Sequence, residues 1–326
     1  LTAFRIFELL GGLGLFIYGM KLMSDGLKRI AGKRLKELVG RVTNNKWTGA
    51  AVGAIVTALI QSSTAAIVMA VGFVNSGLMS LVGAVAVIIG ANVGTTLSTM
   101  LLTFNIKPYA PLLIFIGVVL VLFIQQKKLN RIGLFILGFG LLFLGLTLMS
   151  DSMRPLKDAP YMIELFEYAR TPWIGILVGF LVTAVIQSST ATIGIIISMI
   201  AVGVITDLHQ AIFILYGLNL GGSITPLIAA IGANKAAKQT AIANLVFNTL
   251  GVLIFIVLML LRFDFAGFIQ LLTSDVEYQL VYAHMIFNVV IMIVLLPLAS
   301  YIVKIAKFIV RGEDEEIDLE DDDDDE

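Results

Sequence analysis

Long apolar stretches, punctuated by short charged segments, occupy the chain from residue 4 to residue 302. Several exceed the roughly 18 residues that mark a candidate membrane span. Residues 4–23 read as a first span, in which Gly11, Gly12, Gly14 and Gly19 would allow close helix packing. Segment 25–46 holds seven basic and two acidic residues, with Leu27, Ile30, Leu35, Leu38 and Val42 at helical spacing. That pattern predicts an amphipathic helix lying at the interface. Apolar segments 48–74, 77–104 and 111–124 follow, ending at Lys127, Lys128 and Arg131. Residues 132–149 form another span, and 151–170 a connecting segment with three basic and four acidic residues. Segments 173–203, 209–232, 239–261 and 279–302 complete the apolar set. The runs do not alternate in polarity, which excludes a β-barrel. The pattern predicts an all-α polytopic membrane protein.

Polar clusters interrupt these runs in a repeating way. Gln61-Ser62-Ser63-Thr64-Ala65 recurs 126 residues on as Gln187-Ser188-Ser189-Thr190-Ala191, and 13 of the 19 positions from Trp47 and Trp173 onward are identical. Leu22-Met23-Ser24-Asp25 recurs in the same register as Leu148-Met149-Ser150-Asp151. The chain is an internal duplication, with a first repeat over 1–131, a second over 132–302 and a C-terminal end over 303–326.

Loop charge decides how the copies lie. Were each Q-S-S-T segment a single crossing, the basic loop around Lys127, Lys128 and Arg131 would lie opposite the basic segment 25–46. The acidic-leaning segment 151–170 would then share a side with 25–46. Both placements offend the positive-inside rule. With each Q-S-S-T segment a re-entrant hairpin, the basic segments, including Lys235, Lys238, Lys304, Lys307 and Arg311, all fall on the cytoplasmic side. Segment 151–170 and the loop with Asp264, Asp275 and Glu277 become external. Three spans then separate equivalent points, so the expected architecture is two inverted-topology repeats, each with a re-entrant hairpin and an interrupted helix.

Composition agrees with the pattern. The apolar fraction is 58%, the charged fraction 14% and the mean hydropathy +0.97. A soluble domain carries about 25% charged residues. There is no cysteine, hence no disulfide and no soft-metal site. The first residues carry no cleavable-signal pattern, so the first span is expected to act as its own insertion signal. The net charge of −1 hides an asymmetry. Twelve of the last 14 residues are acidic, leaving 22 basic and 11 acidic residues elsewhere. That tail reads as a disordered, solvated end on the cytoplasmic side. Nothing points to nucleic acid, and no His, Cys or carboxylate constellation suggests an enzyme.

Four polar residues in succession, twice, are more than the lone Ser or Thr that glues helices together. A hairpin tip exposes backbone N–H groups at a helix start, which favours an anion. Hydroxyls add donors, while carbonyls freed at a break can hold a cation. Each copy adds an Asn-Gly-Thr/Ser element: Asn92, Thr95 and Thr96 in the first, Asn219, Ser223 and Thr225 in the second. Gly90, Gly94, Gly221, Gly222 and Pro226 are expected to weaken the helices around them. No Lys follows these glycines and no strand precedes them, so they are not a nucleotide-phosphate loop. No Asp, Glu, Lys or Arg lies within the four motif-bearing segments. Glu8 and His284, near span ends, read as interfacial or structural rather than as proton relays. A coupling cation held by neutral oxygens would be a metal ion, sodium above all.

The paired Q-S-S-T motifs, each followed by its Asn-Gly-Thr/Ser element, closely resemble the type II sodium–phosphate cotransporter family. The opening run from Gly12 to Leu27 is similar to the bacterial branch. The resemblance implies sodium-driven phosphate uptake across the cell membrane by alternating access, with no further cofactor. It puts both Q-S-S-T motifs and the two Asn-Gly-Thr/Ser elements in one cavity shared by phosphate and sodium. Within it, donor chemistry suggests phosphate on Ser62, Ser63, Thr64, Ser188, Ser189 and Thr190, and sodium on Gln61, Gln187, Asn92, Thr95, Thr96, Asn219, Ser223 and Thr225. Many bacterial members continue into a cytoplasmic helical domain where this chain runs into its acidic residues. The large external loop of animal members is absent between the copies, and Asn219-Leu220-Gly221-Gly222-Ser223 departs from the first copy's Asn-x-Gly-Thr-Thr form. A homodimer in the bilayer is compatible with this reading. A sodium-coupled carrier of another oxyanion or a dicarboxylate, an anion channel and a non-transporting phosphate sensor are the alternatives.

Overall fold

The computed structural model describes residues 3–31, 45–157, 159, 168 and 171–311. Among these every regular element is helical, and six helices are long and apolar enough to cross a membrane. The first copy contributes α1 (Ala3–Ala31), α2 (Lys46–Ile60), α3 (Ser63–Asn75), α4 (Leu81–Met100) and α5 (Ala110–Leu122). The second contributes α6 (Lys127–Met153), α7 (Pro172–Ile186), α8 (Ser189–Ala201), α9 (Leu208–Gly221) and α10 (Ile224–Ala229). It continues through α11 (Lys235–Leu260), the short α12 (Phe265–Gln270), α13 (Val276–Leu295) and α14 (Ala299–Ile309).

Small residues set the helix pairing, as expected where lipid removes any hydrophobic drive between helices. Gly12 of α1 abuts Gly145 and Met149 of α6, Gly19 abuts Gly138 and Leu142, and Gly26 abuts Arg131 and Phe135. Rising numbers on one helix meet falling numbers on the other, so α1 and α6 run antiparallel. In the first copy, Gly53 of α2 faces the Val87 carbonyl of α4, and Gly90 of α4 faces the Ala50 carbonyl. The second copy repeats this, with Gly179 of α7 against Ile214 of α9 and Gly217 against Ile176. The core gathers α4, α8, α9, α11 and α13, with Phe16 of α1 reaching in against Gly194. Tyr216, Phe255 and Phe287 pack at its centre as tilted rings with centroids 4.8–5.8 Å apart.

Three expectations change. The first copy's Asn-Gly-Thr helix was expected to be interrupted, yet α4 runs unbroken through Gly90, Asn92 and Gly94. Glycine costs a helix only about 1 kcal/mol per residue, and here Gly90 and Gly94 let α4 seat directly on α2. The second copy does break, at Gly222, between α9 and α10. The last apolar segment is not one helix over 279–302. It stops at Leu295 and restarts at Ala299, because Pro297 has no N–H to continue the ladder. Finally, α1 carries on through Asp25 and Lys28 to Ala31. The rest of the expected amphipathic helix, most of 151–170 and the acidic tail lie outside the described residues.

Candidate functional site

Each Q-S-S-T motif joins two short helices through a two-residue turn. Gln61 closes α2 with φ 59° and ψ 30°, and Gln187 closes α7 with φ 57° and ψ 25°. Left-handed backbone is uncommon outside glycine, and both copies use it at the same position. Its amide N–H donates to the carbonyl four residues back, Thr57 or Thr183, at 2.7 Å in each copy. The next residue is extended and caps the following helix. Ser62 Oγ accepts from the Ala65 amide and Ser188 Oγ from the Ala191 amide, both at 3.2 Å. A capping serine spends a lone pair and keeps its O–H to donate elsewhere. The first-turn amides of Ser63, Thr64, Ser189 and Thr190 have no intrahelical acceptor by the geometry of a helix start.

The two turns meet at one cavity of about 300 Å³, lined by Gln61, Ser62, Ser63, Thr64, Gln187, Ser188, Ser189 and Thr190. Two helix N-termini, of α3 and α8, therefore converge with their hydroxyls on a single space, an arrangement that attracts an anion. Gln61 adds an acceptor: its amide nitrogen bonds to the Ala58 carbonyl, and its Oε1 is buried without a partner among the described residues.

The other six expected residues do not line this cavity. Asn92 and Asn219 each donate Nδ2 to the carbonyl one turn back, at 3.0 Å to Ile88 and 2.9 Å to Leu215. Thr95 and Thr96 hydroxyls bond to the Ala91 and Val93 carbonyls of their own helix. Ser223 is fully buried and accepts from Asn248 Nδ2 at 2.9 Å. Thr225 Oγ1 is buried without a partner among the described residues. These residues form a polar layer behind the turns. Its link to the cavity is Gly222, where a Cβ would stand 2.8 Å from Ser189 Oγ.

Several residues here were not foreseen. Ile17, Met20, Lys21, Ser24, Asp25 and Lys28 of α1 line the cavity too. Ser24 Oγ donates to the Ile60 carbonyl, tying α1 to the first turn. The signal was present in the repeated Leu-Met-Ser-Asp block, which otherwise served only to reveal the duplication. Asn244 and Asn248 of α11 and His284 and Asn288 of α13 enrich the polar layer, sharing one spacing, Asn/His-x-x-Phe-Asn. Thr99 lies 3.3 Å from His284, and Lys107 3.4 Å from Glu277. The first contact packs α13 on the C-terminal end of α4. The carboxamide oxygens of Asn248 and Asn288 are both buried without a partner among the described residues.

The copies also differ. Thr183 Oγ1 donates to Thr192 Oγ1 at 3.1 Å, across the second turn. In the first copy the matching position is Ala66, and Thr57 Oγ1 is left buried without a described partner. Thr192→Ala should therefore cost only about 0.6 kcal/mol, the average for a hydrogen bond between membrane helices. Thermal unfolding in detergent would check this.

The Na+/Pi-cotransporter family model matches residues 15–151 and again 152–274. The chain is 30% identical over 311 residues to the putative inorganic phosphate export protein YjbB of Escherichia coli, covering 95% of this chain and 56% of that protein. It is 30% identical over 296 residues to the uncharacterized protein YqeW of Bacillus subtilis, covering 90% of this chain and 95% of that one. Human sodium-dependent phosphate transport protein 2B matches at 30% identity over 96 residues, 29% of this chain and 14% of its own length. The chain thus spans about half the length of the Escherichia coli relative. No solved structure matches it. Two tandem family matches over a duplicated helical chain, with a doubled polar motif closing on one cavity, make this chain a member of the Na+/Pi-cotransporter family, which are transporters and not enzymes.

Proposed function

We propose that this chain carries inorganic phosphate across the cell membrane together with sodium, by alternating access. The observation behind this reading is the convergence of two turns, 126 residues apart, on one cavity. Phosphate binds through the Ser62, Ser63, Thr64, Ser188, Ser189 and Thr190 hydroxyls and the first-turn amides. Sodium takes carbonyl and hydroxyl oxygens from Gln61, Gln187, Asn92, Thr95, Thr96, Asn219, Ser223 and Thr225. The buried oxygens of Gln61 and Thr225, without a partner among the described residues, support that division. Sodium is the coupling ion, and no further cofactor is needed.

The repeats are inverted in this reading, over 1–131 and 132–302. Gly12 meets Gly145 while Gly19 meets Gly138, and each glycine's partner is the other's image 126 residues on. Such an exchange is what a two-fold axis between antiparallel α1 and α6 requires. The Q-S-S-T segments are re-entrant. Helices of 15 and 13 residues rise about 20 Å, short of a hydrocarbon core of about 30 Å. The Thr183–Thr192 bond holds the two arms of the second hairpin together. The positive-inside rule orients the basic C-terminal end of α1, and the chain's C-terminal end, toward the cytoplasm.

Uptake into proteoliposomes tests the reading. Labelled phosphate should accumulate with sodium outside and not with choline. Each net positive charge carried inward adds about 2.3 kcal/mol per 100 mV, so an interior-negative potential should speed an electrogenic cycle. Equal flux in both salts would point to a channel, and binding without flux to a sensor. Export is the second reading, because the Escherichia coli relative that covers 95% of this chain is named for it. Efflux from phosphate-loaded vesicles against an inward sodium gradient would establish export.

A further inference from the structure

The cavity that holds both turns also holds charge. Lys21, Asp25 and Lys28, all on α1, line it alongside the Q-S-S-T residues. Lys28 Nζ stands 3.8 Å from Asp25 Oδ1, so that pair largely cancels. Lys21 has no ion pair with any described residue. Among the described lining residues it is the unbalanced cation beside hydroxyls, amides and apolar side chains.

The duplication identifies what stands in its place on the opposite side. Positions 17, 20, 21, 24, 25 and 28 correspond, 126 residues on, to Phe143, Leu146, Thr147, Ser150, Asp151 and Arg154. Asp151 and Arg154 form the matching pair, at 3.0 Å. Serine is kept, but lysine is replaced by threonine, whose hydroxyl bonds to the Phe143 carbonyl of its own helix at 2.9 Å. The two sides are also in different states. Ser24 bonds to the Ile60 carbonyl beside the cavity, whereas Phe143 and Leu146 are buried and Ser150 Oγ has no described partner.

We infer that Lys21 is the residue that makes anion affinity differ between the two faces of this carrier. The inference rests on the proposed transport of phosphate through this cavity. With the site open toward the α1 C-terminal end, a bound oxyanion shares the cavity with one uncompensated ammonium. With the site open the other way, the two-fold-related wall offers Thr147 instead. A ligand that meets a cation in one state only binds that state more tightly and shifts the population toward it. A cation close to an anion across a partly hydrated cavity attracts it more strongly than the same charge in bulk water would. Lys21 therefore raises affinity for phosphate on the face where the basic end of α1 lies, and slows its release there.

Right-side-out and inside-out vesicles, each with an inward sodium gradient, separate the two faces. Lys21→Thr should raise the KM for phosphate about tenfold on the α1 C-terminal face and leave the other face unchanged. Lys21→Arg should keep the wild-type asymmetry. Because the chain has no cysteine, Lys21→Cys gives a single target for thiol reagents. Impermeant ethylammonium methanethiosulfonate should restore the low KM, and the sulfonate analogue should raise it further. Equal KM changes on both faces, no change on either, or identical effects of the two reagents would overturn the inference while leaving phosphate transport in place. Wild-type vesicles without phosphate flux would overturn the functional reading, and the role of Lys21 with it.

Discussion

Ser63→Ala and Ser189→Ala should each cut sodium-driven phosphate uptake by one to two orders of magnitude while leaving the protein folded. Both serines occupy the first helical position after a capping serine, so neither hydroxyl is needed to start its helix. Alanine is the better helix former, and the backbone amides remain. What is lost is one O–H lining the cavity, which on the proposed reading donates to the anion. Hydrogen bonds to charged groups are worth about 1.5–3 kcal/mol, which is about 10–100-fold in affinity. Ser62→Ala and Ser188→Ala would report less clearly, since each also removes a cap worth about 1 kcal/mol. If both serines hold one phosphate ion, changing either one alone must suffice. Reconstituted uptake, with size-exclusion profiles as the folding control, decides the matter. Uptake within twofold of wild type for either variant would remove that copy from the substrate site.

The parts of this site that were legible in the sequence share a physical signature. Gln61 through Thr64 and Gln187 through Thr190 stand out because four successive polar groups in an apolar run have no cheap fate inside a bilayer. Repetition then linked two places far apart in the chain. Lys21 was hidden for the opposite reason, since a lysine near the end of a span normally snorkels to the interface. Its place at the cavity follows from α1 packing antiparallel on α6 and beside the turns, which are tertiary facts. Asn248 and Asn288 were hidden likewise, because a single Asn in an apolar helix reads as glue until its neighbours are known. The unbroken α4 shows the ambiguity of glycine. Gly90 and Gly94 look like weak points in the sequence yet lie within an unbroken helix, whereas Gly222, with Pro226 following, is where the chain does break. The difference lies in what each glycine faces, and spacing along the chain does not reveal that.

The same glycines carry the second large effect, on assembly. A Cβ added at Gly90 would overlap the Ala50 carbonyl, and one at Gly217 the Ile176 carbonyl. The facing glycines, Gly53 and Gly179, stand in the same relation to Val87 and Ile214. The obstacle is backbone on a packed helix, so no rotamer change relieves it. The helices must separate, and overpacking of this kind costs about 1–3 kcal/mol or more. Alanine's gain in helix propensity, about 1 kcal/mol, is too small to offset that. Gly90→Ala and Gly217→Ala should therefore lower the midpoint of thermal unfolding, and Gly90→Val and Gly217→Val should yield no monodisperse protein. Function should suffer even where the fold survives. Helix α2 carries Gln61 at its C-terminal end and α7 carries Gln187, and a displacement near 1 Å of a binding group can cost about 100-fold in rate. Gly72→Ala is the control, because a Cβ there meets nothing within 4 Å and only the propensity gain remains. A Gly90→Ala protein that melts with or above Gly72→Ala would show that α2 and α4 can part at no cost, and the close glycine seat would then lose its role in positioning the turns.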